Sequence, residues 1–173
     1  MAKIQKVDIR SKGSGNIGAT NVARVMGKKA GLLTLLGDLL KGLFIVVLAQ
    51  SIFEKEILIA LAGLMVFLGH LYSVFLKFKG GKGVATSLGI FSFIMPWATL
   101  CSVAVFSATL WISGTVSLGS IMAAIFLPLF AIYFKLPLSY IYLAVIIGLF
   151  TLQRHYGNLL RLVDGTEPKF LKK

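Results

Sequence analysis

Acidic side chains are scarce in this sequence: there are six, against eighteen Lys and Arg, in 173 residues. Charge of either sign makes up only 14% of the chain, where a soluble domain carries about a quarter. That shortage excludes an ordinary water-facing surface. Cys101 is the only cysteine, so no intrachain disulfide can form, and it reads as a packing residue in an apolar run. Histidine occurs twice, at His70 and His155, and no H-E-x-x-H pair is present; neither a catalytic metal nor a cofactor is expected. Polar residues rather than an apolar core follow Met1, which is unlike a signal peptide. No internal repeat or low-complexity linker divides the chain, so a single domain over residues 1–173 is expected.

What fills the chain instead is apolar. Hydrophobic residues make up 57% of it, and runs such as ILIALAGLMVF, residues 57–67, hold no charge. These runs are too many and too long for the interior of one small soluble domain, and they read as transmembrane helices. The expected fold class is therefore all-α, a polytopic transmembrane helix bundle. A net charge of +12 could point to nucleic acid. Its placement argues otherwise, because the basic residues form islands between apolar segments as cytoplasmic loops do. No nucleic-acid partner is expected.

The apolar segments cover residues 32–53, 57–76, 84–111, 118–134 and 138–152. As one helix, the third would run to roughly 42 Å, beyond a hydrocarbon core of about 30 Å. Pro96 lies near its middle, where it cannot continue helical hydrogen bonding. A turn there gives about six spans and places both termini on one side. Fifteen basic residues then lie inside, with Lys55 and Lys135 outside. A single crossing would give eleven inside and six outside, so the positive-inside rule favours six. The same topology puts GSGNIGATN, FKGGKG, GTVSLGS and RHYGN at the cytoplasmic face.

GSGNIGATN begins with Gly13, Gly15 and Gly18 in G-x-G-x-x-G spacing. A dinucleotide fold would need a strand before it and a βαβ unit after it, and neither is present. NAD is rejected. The glycines still let backbone N–H groups converge on an anion, with Ser14, Asn16, Thr20 and Asn21 adding neutral donors. Arg24 supplies a charge that can hold a phosphate bidentately. In FKGGKGVATS, Gly80, Gly81 and Gly83 surround Lys82 at a helix start, an anion site without Walker A spacing. His155 and Asn158 fall on consecutive turns, with Arg161 on the same face if the stretch is helical. Each island also fits a plainer reading, as a tight loop, a basic interfacial loop or a polar helix end. Two phosphate-type sites beside a histidine favour phosphorylated substrates over a pore.

SGNIGATNVAR (residues 14–24), GHLYSVFLKFKGGKGVAT (69–86) and RHYGNLLRLVDGTE (154–167) closely resemble the three signature motifs of the bacterial acyl-phosphate:glycerol-3-phosphate acyltransferases, the PlsY family. The resemblance runs from about Val7 to Glu167. It implies a bacterial multi-pass inner-membrane enzyme that moves a fatty acyl group from acyl phosphate to the sn-1 hydroxyl of glycerol 3-phosphate. The products would be lysophosphatidic acid and inorganic phosphate, the first committed step toward phospholipid. By that resemblance Ser14, Arg24, Lys82, His155 and Asn158 carry the reaction, and Ser120, or alternatively Ser117, binds substrate. The family usually has one more helix before the SGN motif, giving seven spans and an external N-terminus; this chain starts at MAKIQKVDIR without it. It also has Ser73 where the family tends to have proline.

Acyl phosphate already carries a good leaving group, so positioning two anions and removing one proton would do most of the work. No Ser-His-Asp set is assignable, and neither histidine begins an H-x-x-x-x-D motif, which argues against an acyl-enzyme. The proton could go to His155 or to the substrate's own phosphate. His70 reads as a structural interfacial residue, and Asp38 and Lys41, three apart in the first span, as a mutual pair or as bundle-facing charges, with a structural or a catalytic role. The chain is expected to act as a monomer with the C-terminus cytoplasmic. A transporter or flippase for a phosphorylated metabolite is the alternative, although such proteins usually show repeats and midplane sites.

Overall fold

Basic islands alternate with apolar runs in the sequence, and short connections alternate with helices in space. A computed structural model describes residues 8–170, and eight α-helices account for most of them. They are α1 (Ala19–Met26), α2 (Lys28–Ile52), α3 (Glu56–Leu71), α4 (Val84–Ile94), α5 (Pro96–Ser113), α6 (Val116–Tyr133), α7 (Leu138–Arg154) and α8 (Tyr156–Val163). No strand occurs among the described residues.

The helix ends follow from local chemistry. Glu56 opens α3, where a carboxylate meets the positive end of the helix dipole. Pro96 is at the start of α5, where its missing N–H costs nothing, and this breaks the long apolar segment into α4 and α5. Gly114, at φ 73°, ends α5 in a left-handed turn. Pro128 lies inside α6 and cannot bond the carbonyl of Ala124. That carbonyl instead faces Gly148 of α7, close enough that a Cβ there would lie 3.1 Å from it. Glycine at 148 thus lets α7 close over the gap that proline leaves.

Among the described residues, four helices are long and apolar enough to cross a membrane: α2, α3 extended to Leu76, α5 and α6. The pair α7 and α8, bent by 57°, raises the number to five if it acts as one span. The sequence expects about six. The difference lies in α4, whose 11 residues reach about 16 Å, half of a hydrocarbon core. The alternation of direction survives. The start of α2, the end of α3, the start of α4, the end of α5, the start of α6 and the end of α7 all meet at one end of the bundle, around one cavity.

The core is built from Val46, Phe67, Leu71, Ile90, Phe91, Met95, Ala98, Ala131 and Leu143, with their neighbours. Large apolar side chains also cover the outside, Phe44, Met65, Leu100 and Leu129 among them. Lipid gives helices no hydrophobic reason to associate, so close packing must hold them. Gly42 and Gly89 provide it between α2 and α4. A Cβ on Gly42 would lie 2.3 Å from the Thr86 carbonyl, and one on Gly89 would lie 2.0 Å from that of Leu39. Gly89→Ala should therefore force the backbones apart and destabilise the bundle by about 1–3 kcal/mol, the usual cost of overpacking. Thermal unfolding in detergent would read it; an unchanged midpoint would mean that the helices do not touch there.

Candidate active site

The cavity at the shared end has a volume of about 500 Å³. One wall comes from the segment before α1. Asn21, in the first turn of α1 and only 1% exposed, ties that segment together. Its carbonyl accepts the Ser14 N–H at 2.8 Å, and its amide donates to the carbonyls of Ile9, Lys12 and Asn16. Asn16 in turn accepts the N–H of Gly18 at 2.7 Å, an Asx turn that starts α1. Gly13 and Gly15 have φ of 61° and 68°, values that need glycine. A Cβ at Gly13 would also strike the Asn21 carbonyl oxygen at 2.2 Å.

The second wall is the FKGGKG loop. Lys77 and Phe78 hold left-handed backbone at φ 52° and 61°, and Gly83 follows at 83°. Non-glycine residues there carry strain that the surroundings must hold. Part of that hold is the Gly80 N–H, which donates to the Leu71 carbonyl at 2.9 Å. Gly80 and Gly81 pack against His70: a Cβ on Gly80 would be 1.9 Å from the His70 carbonyl, and one on Gly81 2.4 Å from its Nε2. Ser73 has φ −57°, a value proline adopts, so serine leaves the turn shape intact.

The third wall is the elbow between α7 and α8. His155 sits at the bend and is 2% exposed. Its Nδ1 lies 2.8 Å from the Thr151 carbonyl. A carbonyl only accepts, so Nδ1 carries the proton and Nε2 is left with a free lone pair. Asn158, one turn on, accepts a hydrogen bond from the Lys82 ammonium and donates to Glu167 Oε1 at 2.6 Å. Arg161 Nε donates to Glu167 Oε2 at 2.8 Å. Glu167, with its side chain 6% exposed, is thus the acidic counterweight of a cationic site. Burial would raise its carboxyl, but the neighbouring Ser117, Asn158 and Arg161 groups hold it below the usual carboxylate range. Burial pushes the Lys82 ammonium down to about 8; Glu167 opposes this, and Arg161 and Arg24 add to it.

The residues after α8 cross the mouth. Arg24 donates to the Pro168 carbonyl at 3.1 Å, and the Phe170 N–H to the Gly114 carbonyl at 2.7 Å. From α6, Ser120 lines the cavity with its hydroxyl proton donated to the Val116 carbonyl. It therefore offers lone pairs rather than a proton. Ser117 Oγ is buried beside the Glu167 carboxylate. Leu32, Leu35, Phe106 and Leu110 make one side of the cavity apolar.

Of the residues expected from sequence, Ser14, Asn16, Gly18, Thr20, Asn21, Arg24, Lys82, Gly83, Ser117, Ser120, His155 and Asn158 surround this cavity. Gly13, Gly15, Gly80, Gly81 and Arg161 are not on its surface. The first four shape the loops, the N–H groups of Gly15 and Gly80 being spent on backbone carbonyls, and Arg161 acts on Glu167. Glu167 and His70 line the cavity without having been expected there, and Asp38, read as paired or bundle-facing, lines it too. For Glu167 the available signal was its rarity, an acidic residue ending a basic motif. His70 forms part of the cavity wall, with its side chain 8% exposed. Asp38 and Lys41 do pair, at 2.7 Å, and His70 joins them.

A lysine near pH 8 has a measurable consequence. Anion affinity of the free protein should fall as pH rises through about 8, where Lys82 loses its charge, and bound anion should carry that fall to higher pH. Isothermal titration with glycerol 3-phosphate between pH 6.5 and 9.5 would check it; a flat profile would remove Lys82 from the anion site.

A family model described as glycerol-3-phosphate acyltransferase matches residues 1–165. The glycerol-3-phosphate acyltransferase of Trichlorobacter lovleyi is 46% identical over 170 residues, covering 98% of this chain and 88% of the relative. That of Geotalea daltonii is 48% identical over the same shares. Among solved structures, the crystal structure of PlsY, an integral membrane glycerol 3-phosphate acyltransferase, is similar in its glycerol 3-phosphate form. The TM-score is 0.94 at 40% identity, over 98% of this chain and 86% of that one. Its lysophosphatidic acid form gives 0.89 over 97% and 84%.

Proposed function

The chain belongs to the glycerol-3-phosphate acyltransferase family and is a multi-pass membrane enzyme that acylates glycerol 3-phosphate; we propose that its donor is an acyl phosphate, used without an acyl-enzyme intermediate. The observation that carries this reading is the sharing of one cavity by two cationic loops, a histidine with a bare Nε2 and an apolar wall. Two phosphoryl groups and a fatty chain require such a combination.

The Ser14–Asn21 loop cradles the acyl phosphate, whose chain lies along Leu32, Leu35, Phe106 and Leu110. Arg24, Lys82, Ser120 and Asn158 hold glycerol 3-phosphate, and Glu167 keeps Lys82 and Asn158 in place. The sn-1 hydroxyl oxygen attacks the acyl carbon, and the bond from that carbon to the phosphate oxygen breaks. His155 takes the hydroxyl proton at Nε2 and passes it to the departing phosphate, so lysophosphatidic acid and hydrogenphosphate leave with no net proton change. Electrostatic positioning supplies most of the rate.

We place the enzyme in the bacterial inner membrane as a monomer, with the cavity and the C-terminus on the cytoplasmic side. Arg10, Lys12, Arg24, Lys28, Lys77, Lys79, Lys82 and Arg161 belong to segments at the cavity end, while Lys55 precedes α3 and Lys135 follows α6 at the other, as the positive-inside rule requires. The test is lysophosphatidic acid formation by purified protein from glycerol 3-phosphate with palmitoyl phosphate or palmitoyl-CoA. Product from the phosphate alone is expected. Product from the thioester alone would overturn the donor assignment.

A further inference from the structure

Asp38 and Lys41 are charged residues inside the first long apolar helix, where unpaired charge is expensive. His70, in the last turn of α3, meets both. Lys41 Nζ lies 2.7 Å from Asp38 Oδ1 and within hydrogen-bond distance of His70 Nδ1, and His70 Nδ1 lies 3.5 Å from Asp38 Oδ1. A lysine ammonium has donors only and lies nearer to Nδ1 than the Asp38 oxygen at 3.5 Å, so His70 Nδ1 accepts from Lys41. The neutral imidazole then carries its proton on Nε2. His155 is fixed the opposite way, with Nδ1–H toward Thr151 and a bare Nε2. The chain's two histidines thus line one cavity as opposite tautomers.

The proton on His70 has a direction. The side chain is 8% exposed and forms part of the cavity surface, and its Nε2 abuts Gly81, next to Lys82. We propose that His70 is a substrate-binding residue, donating from Nε2–H to the phosphoryl group held beside Lys82 and Gly83, with Asp38 and Lys41 as the positioning residues that fix its tautomer. This rests on the reading of the cavity as the acyl-transfer site. A phosphoryl oxygen accepts and never donates, so a tautomer locked by a lysine is the form such a ligand needs. A neutral donor also strengthens a site already crowded with cations without adding repulsion. Glycerol 3-phosphate and acyl phosphate both bring that chemistry.

Because the chain has only two histidines, ¹⁵N-histidine labelling of the whole protein in nanodiscs gives two resolvable rings. The free protein should show His70 protonated at Nε2 and His155 at Nδ1. Glycerol 3-phosphate and a non-transferable acyl phosphonate, titrated separately, identify the ligand: one of them should shift the His70 Nε2–H resonance. Lys41→Met leaves Asp38 as the sole partner and should move the His70 proton to Nδ1. In kinetics, His70→Gln keeps a donor near the Nε2 position and should hold KM for that substrate within about fivefold. His70→Asn moves the donor to the Nδ1 position and should raise that KM about 10- to 100-fold, with kcat changing less, as expected for one hydrogen bond to a charged group. An Nδ1–H tautomer in the free protein, a resonance indifferent to both ligands, or equal losses in the two variants would overturn the proposal. The resonance experiments need no turnover. A responsive His70 in a protein that makes no lysophosphatidic acid would sink the proposed reaction and leave the phosphoryl site standing.

Discussion

His155→Ala should lower kcat by about 10²- to 10⁴-fold, the range for losing a positioned proton acceptor, with KM for glycerol 3-phosphate changed much less. The substitution is structurally mild for a buried residue. The Thr151 carbonyl that bonds the imidazole also accepts the backbone N–H of residue 155 at 3.1 Å, so no buried acceptor is orphaned. Steady-state kinetics with both substrates varied would separate the roles. Retained turnover with a large rise in KM would make His155 a binder and send the proton directly to the leaving phosphate. Gln153 and Tyr156, on either side of it, are exposed and are suitable controls.

Lys82→Met should reduce kcat/KM for glycerol 3-phosphate by roughly 10- to 100-fold, the cost of a charge-assisted hydrogen bond to an anion. Methionine keeps the length and apolar stem of lysine, so the loop around Gly83 need not move. Its loss leaves Asn158 bonded to Glu167 but removes the cation between that carboxylate and the substrate. The like charges left facing each other, phosphate and Glu167, should push the effect toward the upper end. Lys82→Arg should restore little, because a planar guanidinium cannot occupy the half-buried place of an ammonium between two glycines. Full rescue by arginine would mean that net charge alone matters there.

Much of this arrangement is visible in the sequence, for identifiable reasons. Pro96 marks the break between α4 and α5 because proline has a fixed local consequence. Basic islands mark the cavity end because charge cannot sit in hydrocarbon. The GSGN loop is recognisable as a turn because its glycines need positive φ. The shortness of α4 is not legible from hydropathy, since the residues on both sides of Pro96 are equally apolar. The bend of 57° at His155 has neither proline nor glycine at its corner; Gly157 comes only two residues later. Tertiary bonds set it. Asn21 reads as one more polar donor, and only the folded loop shows its amide spent on three carbonyls. The same holds for Glu167, nine residues from Asn158 in the chain and 2.6 Å away in space.

Direct transfer between two ligands seated side by side is tested most simply by rapid mixing of purified protein with palmitoyl phosphate alone. The account predicts no stoichiometric burst of inorganic phosphate until glycerol 3-phosphate is added, after which phosphate and lysophosphatidic acid rise together. A burst of one phosphate per chain without the acceptor would reveal an acyl-enzyme and contradict it.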